Sequence, residues 1–228
     1  MRMISVVCGV ALTAATCGGC LRKEVNETIY LAPGGTIWTV VERNVRSDEK
    51  VLADRMVEEH DYYLAAAAGQ HPVAQALRRL GAQSVTTTWL RRERPYTVVT
   101  EGRFGDLRQL ATAFLRDAGA QGDVSLVRDG CDTTFSVRVD VDRSAGNPSA
   151  GNPSAGNPPS AGETPLDALL TDLENYRFVL AEGRFTSADG FRILDEGTIA
   201  VWDNSKAATD GRLTLALGWA SEGCVTKR

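Results

Sequence analysis

His60 and His71 are the chain's two imidazoles, and Glu58-Glu59-His60-Asp61 surrounds the first with carboxylates. Two metal ligands on one helical face need a His-Glu-x-x-His spacing. Here the histidines stand eleven residues apart with a helix break between them. His60 falls on an apolar stripe and is expected to be a half-buried structural histidine. Val139-Asp140-Val141-Asp142 puts two carboxylates on one strand face, but calcium needs six or more oxygens and no Asp-x-Asp-x-Asp-Gly loop supplies them. Ser205-Lys206 pairs a hydroxyl with an amine in a polar turn, without an oxyanion signal nearby. The chain contains no Gly-x-Ser-x-Gly elbow, phosphate-cradling glycine loop or dinucleotide fingerprint. Neither a catalytic residue, a metal nor a cofactor is therefore expected. Arg91, Arg92 and Arg94 form the densest cationic cluster and are the candidate patch for an anionic partner, although Glu93 lies inside it.

The whole chain has 228 residues, 43% hydrophobic and 24% charged, so it can bury an ordinary globular core. Its formal charge of −4 offers no broad cationic footprint, which argues against nucleic acid as the partner. No apolar run reaches the roughly 20 residues of a membrane-spanning helix.

The N-terminus reads as an export signal. Met1-Arg2-Met3 supplies positive charge, Ile4 to Ala15 is small and apolar, and Gly18-Gly19 precede Cys20. This pattern resembles the signal of bacterial lipoproteins, in which the cysteine after small residues becomes the lipidated first residue of the mature chain. It departs from that pattern at Cys17, where leucine is typical. The resemblance implies residues 1–19 as signal, Cys20 as lipid attachment site and 20–25 as a polar tether. It also implies anchoring in the cell envelope. Leu21, with no aspartate after the cysteine, resembles lipoproteins sent to the outer membrane. In an oxidising compartment Cys131 and Cys224 remain as an even pair, expected as a structural disulfide because no Cys-x-x-Cys spacing points to redox work. Such a bridge would close a long loop, a constraint worth about 4–5 kcal/mol in the chain-entropy picture.

The elements that follow predict an α+β body built on antiparallel sheet, with about four helices. Glu27 to Ala32 and Thr36 to Arg46 flank Pro33-Gly34-Gly35 as a hairpin. Ser47 reads as the N-cap of a helix burying Leu52, Met56, His60, Tyr63 and Ala67. Pro72 to Gly81 is a shorter helix. Ser84 to Leu90 and Tyr96 to Phe104 form a second hairpin, and Asp106 with Gln109 a capping box for the helix carrying Leu107, Leu110 and Phe114. Val124 to Val127 and Phe135 to Val141 form a third hairpin around Cys131. Three Ser-Ala-Gly-Asn-Pro units make residues 144–163 a loop that interrupts the 26–228 body. Leu166, Leu169, Leu170 and Leu173 stripe a fourth helix. Tyr176 to Phe185, Phe191 to Leu194, Gly197 to Trp202 and Arg212 to Trp219 complete an up-and-down set of strands.

Tyr96-Thr-Val-Val-Thr-Glu101-Gly102-Arg103-Phe104 echoes Tyr176 to Phe185 with its Glu182-Gly183-Arg184-Phe185, which suggests two related hairpin–helix–strand halves. The stretches from Cys20 to Ser47-Asp48-Glu49 and from Arg94 to Glu101 resemble predicted bacterial lipoproteins, a resemblance that implies location and no particular reaction. The expected function is a non-catalytic binding or assembly module at a membrane surface, partnered by the membrane and by another envelope protein. The alternative is a periplasm-facing carrier of an apolar ligand, with an enzyme third. A carrier needs an apolar pocket of about 300 Å³ or more; an assembly module should expose an apolar patch on a packed core.

Overall fold

A computed structural model describes residues 21–140, 176–203 and 212–221. The signal, Cys20, the pentapeptide repeats, the fourth predicted helix, Asp142, Ser205-Lys206 and Cys224 lie outside these residues. The described chain is a mixed α+β body, mostly strand, with three α-helices and two sheets.

Pro33-Gly34 turns β1 (Leu21–Ala32) back onto β2 (Gly35–Ser47) in the predicted hairpin. The segment expected as a tether is, from Leu21 onward, the opening of β1, paired with Ser47 at the far end of β2. After α1 (Leu52–Ala67) and α2 (Pro72–Arg79), the hairpin β3 (Ser84–Arg91) and β4 (Tyr96–Phe104) lays β4 against β2. Helix α3 (Leu107–Asp117) then leads to the hairpin β5 (Gly122–Asp129) and β6 (Asp132–Asp140). Asp106 caps α3 by accepting from the Gln109 amide at 2.7 Å, and the Gln109 side chain accepts from Gly105 N at 3.0 Å. That is the predicted reciprocal cap, shifted by one residue on its return bond.

The later strands depart from the up-and-down expectation. Tyr176 to Phe185 is two strands, β7 (Tyr176–Leu180) and β8 (Arg184–Asp189), in different sheets. Gly183 breaks them apart at φ +89°, a conformation that side chains resist. The echoed segments therefore play different roles: β4 is one unbroken strand, whereas its counterpart changes sheets. β7 pairs with β1 in parallel, so the larger sheet is mixed, not wholly antiparallel. Its order is β3-β4-β2-β1-β7-β10-β9, with β9 (Phe191–Leu194) and β10 (Ile199–Trp202) closing one edge. The smaller sheet runs β5-β6-β11-β8, with the last strand, β11 (Arg212–Ala220), in its interior.

One face of the large sheet carries the core. Ile29, Trp38, Val40 and Phe178 pack there with α3 and with Phe135, Val137, Leu215 and Leu217 from the smaller sheet. At the other end of the same face, Val45 and Val98 form a second cluster with Tyr62 and Ala66 of α1, flanked by Leu21, Trp89 and Tyr96. A bulge at Asn44 (φ +55°) resets the strand alternation, so Glu42 and Val45 both point inward.

Helix α1 corrects two expectations. It begins at Leu52 behind Val51, not at Ser47, which ends β2. Ser47 is held instead by α1, its amide donating to Glu59 Oε1 at 2.9 Å and its hydroxyl bonding Glu58. The buried face is Glu59, Tyr62 and Ala66 rather than Leu52, Met56, His60 and Ala67, all of which are exposed, with Tyr63 half-buried. A turn of the helix through about one residue, 100°, separates the two readings. Polar pairing decided the matter, because the partners of Glu59 among the described residues, Ser47 and Arg94, stand on the sheet side.

Candidate functional site

Three features invite a functional reading: a buried polar cluster beneath α1 and α2, an apolar cavity beneath α3, and the outer face of α1 beside the β3–β4 hairpin tip.

The cluster centres on Glu42, 1% exposed. Lys23 Nζ donates to its Oε1 at 2.5 Å, and the Tyr62 hydroxyl donates to Oε2 at 2.9 Å. His71, the residue before Pro72 and fully buried, sits with Nε2 3.6 Å from that same Oε2 and 2.8 Å from Thr100 Oγ1. A neighbouring pair involves Glu59, whose Oε2 meets the Arg94 guanidinium. Burial pushes the Tyr62 phenol far above its ordinary range, and the Glu42 charge adds to the effect.

Hydroxyl, imidazole and carboxylate together suggest a nucleophile triad, but the geometry is wrong. A triad imidazole uses opposite nitrogens for its two partners. Here Thr100 and Glu42 both face Nε2, and Nδ1 has no hydrogen-bond partner among the described residues. Thr100 is as completely buried as His71, so no substrate reaches it. The proton sits best on Nε2, beside the carboxylate and the hydroxyl oxygen. The cluster ties α1 and α2 to the sheet, which is structural work. No group of three or more metal-ligating side chains occurs among the described residues.

Burial lowers the His71 pKa from 6.5, outweighing the opposing attraction of Glu42, with Lys23 and Arg78 lowering it further. The unfolded chain therefore takes up a proton first on acidification. His71 contributes stability that is complete above about pH 6.5 and is lost as pH falls from there toward its folded value. The expected slope is at most about 1.4 kcal/mol per pH unit. Urea unfolding between pH 7 and 5 should show a shallower fall in a His71→Asn variant than in the natural chain. Equal slopes would place the pH response elsewhere.

The cavity is about 80 Å³, with a wholly apolar lining that includes Trp38, Leu110, Phe114, Phe135, Phe178 and Leu213. It lies between α3 and the two sheets. A cavity that size falls below the roughly 150 Å³ that accommodates benzene in a protein core, and far below the range of ligand pockets.

The third feature is on the surface. Nine large hydrophobics are markedly exposed among the described residues, and five are Val51, Leu52, Met56, Val57 and Leu64. At 100° per residue, Leu52, Met56, Ala67, Ala53, Leu64 and Val57 cover an arc of about 140° that runs from beside the buried face round to the far side of α1. His60 is the one residue of acidic or basic type within it. Tyr63, at the arc's edge, stacks on Trp89 with ring centroids 4.8 Å apart, and Tyr96 lies 5.6 Å from it. These aromatics fasten the hairpin tip to α1, and Leu90, 65% exposed, follows Trp89 at that tip. Of the predicted cationic patch, Arg94 is committed to Glu59, whereas Arg91 and Arg92 remain exposed beside Leu90.

The buried structural histidine is thus His71 and not His60, which is exposed, and Glu42, Tyr62 and Lys23 are members of the cluster that the sequence pattern does not single out. One signal was available: Thr36, Trp38, Val40 and Glu42 alternate, which points the carboxylate inward with the tryptophan. Cys131 lies in the β5–β6 turn, and Ser221 N donates to its carbonyl at 3.1 Å. No helix among the described residues is long and apolar enough to cross a membrane.

No family model matches the chain, and no curated protein does. Among solved structures it is similar to the folded domain of the LppM protein of Mycobacterium tuberculosis, determined by NMR, at 17% identity over 90% of this chain and 92% of that one. The TM-score is 0.35, a superposition loose enough to leave fold and site to be read from this chain's own residues.

Proposed function

We propose that the chain is a lipid-anchored module of the bacterial cell envelope, held through Cys20, that works by binding or assembly at a membrane surface. The observation that carries this reading is the apolar arc of α1, left without a partner among the described residues, a surface that folded chains seldom leave to water without a use for it. The carrier reading is the weaker one, because the apolar cavity is too small for a ligand of ordinary size. The N-terminal pattern supplies the anchor and the outer-membrane, periplasm-facing location.

Metabolic labelling with a radioactive fatty acid tests the anchor. Label is expected on the natural chain and not on Cys20→Ala, whereas equal labelling would overturn the reading. Export also implies the Cys131–Cys224 bridge. Support comes from the Ser221–Cys131 backbone bond, which brings the chain to the Cys131 turn three residues before Cys224. Mass spectrometry of the unreduced protein should recover a peptide pair joining these cysteines; two free thiols would refute the bridge.

A further inference from the structure

We infer that the apolar arc of α1, with Leu90, Arg91 and Arg92 at the adjoining hairpin tip, lies against the lipid bilayer. This deepens the reading of the chain as a lipid-anchored module and rests on it. The described chain begins at Leu21. Leu21 is not at the end of a free linker: it pairs with Ser47 in β1 and packs on the cluster that includes Tyr62 and Ala66 of α1. Cys20 is the next residue, and consecutive Cα atoms are about 3.8 Å apart. Acyl chains on Cys20 thus reach the bilayer from a point beside α1, leaving no slack to hold this end of the fold away from the lipid.

The chemistry of the surface fits that position. Helix α1 has 16 residues, about 24 Å of length at 1.5 Å per residue. Its outer arc carries Leu52, Met56, Val57 and Leu64 without a lysine, arginine, aspartate or glutamate among them. Asp54, Glu58 and Asp61 lie on the flank outside the arc, at about 180–240° from Leu52. An amphipathic helix of this kind rests in the interfacial plane with its apolar face in the acyl boundary. At the hairpin tip, Arg91 and Arg92 are exposed beside Leu90, where guanidinium groups meet anionic headgroups. Arg94 cannot join them, because it holds Glu59 under the helix.

The test uses the full chain, produced with its own signal in a bacterial host and reconstituted in phosphatidylethanolamine–phosphatidylglycerol vesicles bearing a photoactivatable acyl chain. After illumination, lipid adducts are mapped by mass spectrometry. Adducts are expected on peptides covering Leu52 to Leu64 and on the Leu90–Arg92 tip, and not on β5–β6. A triple variant, Met56→Gln, Val57→Gln and Leu64→Gln, should keep its melting temperature, since all three side chains are exposed. Its α1 adducts should fall about tenfold or more, the factor equivalent to 1.4 kcal/mol. Absence of α1 adducts in the natural chain, adducts spread evenly over both sheets, or protection of α1 by another protein would each overturn the docking. Fatty-acid analysis of Cys20 on the same sample separates the two readings. A lipidated Cys20 without α1 adducts leaves the anchor and removes the docking; α1 adducts on an unlipidated chain remove the anchor and keep it.

Discussion

Glu42→Ala is expected to lower the unfolding free energy by about 2–4 kcal/mol, a loss that reaches through both neighbouring helices. The carboxylate accepts from Lys23 on one oxygen and from Tyr62 on the other, with the His71 ring alongside. Alanine leaves the Tyr62 hydroxyl buried and without this acceptor, the costliest consequence of the change. Lys23 is 30% exposed and can turn to water, so its share is small. Tyr62→Phe removes the donor instead and should cost less, because Lys23 still satisfies the carboxylate. Urea denaturation of the two single variants and the double variant gives the coupling energy. Additive losses would mean that Glu42 and Tyr62 do not act as a pair.

Gly183→Ala should be at least as damaging, by about 3 kcal/mol or more, from left-handed strain and forced displacement together. The residue sits at φ +89°, and a Cβ there would lie 2.0 Å from the Ala220 carbonyl oxygen. That oxygen belongs to β11, which cannot withdraw without breaking its pairing with β8. Gly130 provides the control. It too has positive φ, at +57°, but a Cβ would meet nothing within 4 Å. Gly130→Ala should therefore cost only the backbone strain, about 1 kcal/mol. For a chain of this size the two variants should melt apart by roughly 4–8 °C; coincident melting curves would show that the close approach to Ala220 can relax.

The elements legible in the sequence were those whose signals are local. Pro33-Gly34, Pro72, the Asp106–Gln109 cap and the strict alternation of Phe135, Val137 and Val139 each found their structure, because turn chemistry and side-chain period act within a few residues. What escaped was decided between elements. The face that α1 buries depends on Glu59 finding Ser47 and Arg94, residues 12 and 35 positions away. A hydrophobicity stripe prices that carboxylate as a surface residue and so rotates the helix outward. Likewise, the parallel pairing of β7 with β1 joins residues roughly 150 apart, and no short pattern announces it. The buried polar cluster and the exposed apolar arc are two sides of this one misreading, since the charge turned inward is what turns Leu52 and Met56 toward the outside.

The position of β11 has a consequence for how the molecule is born. Residues 212–220 are the last of the described strands to leave the ribosome, yet they fill the slot between β6 and β8 and bring Leu213, Leu215 and Leu217 to the shared core. Until they arrive, the β5–β6 hairpin and β8 have no common neighbour, and long-range strand closure is intrinsically slow. Translation thus withholds the keystone until the other described strands are made. Under the proposed export through a translocation channel, late closure would keep the chain pliable for as long as passage requires.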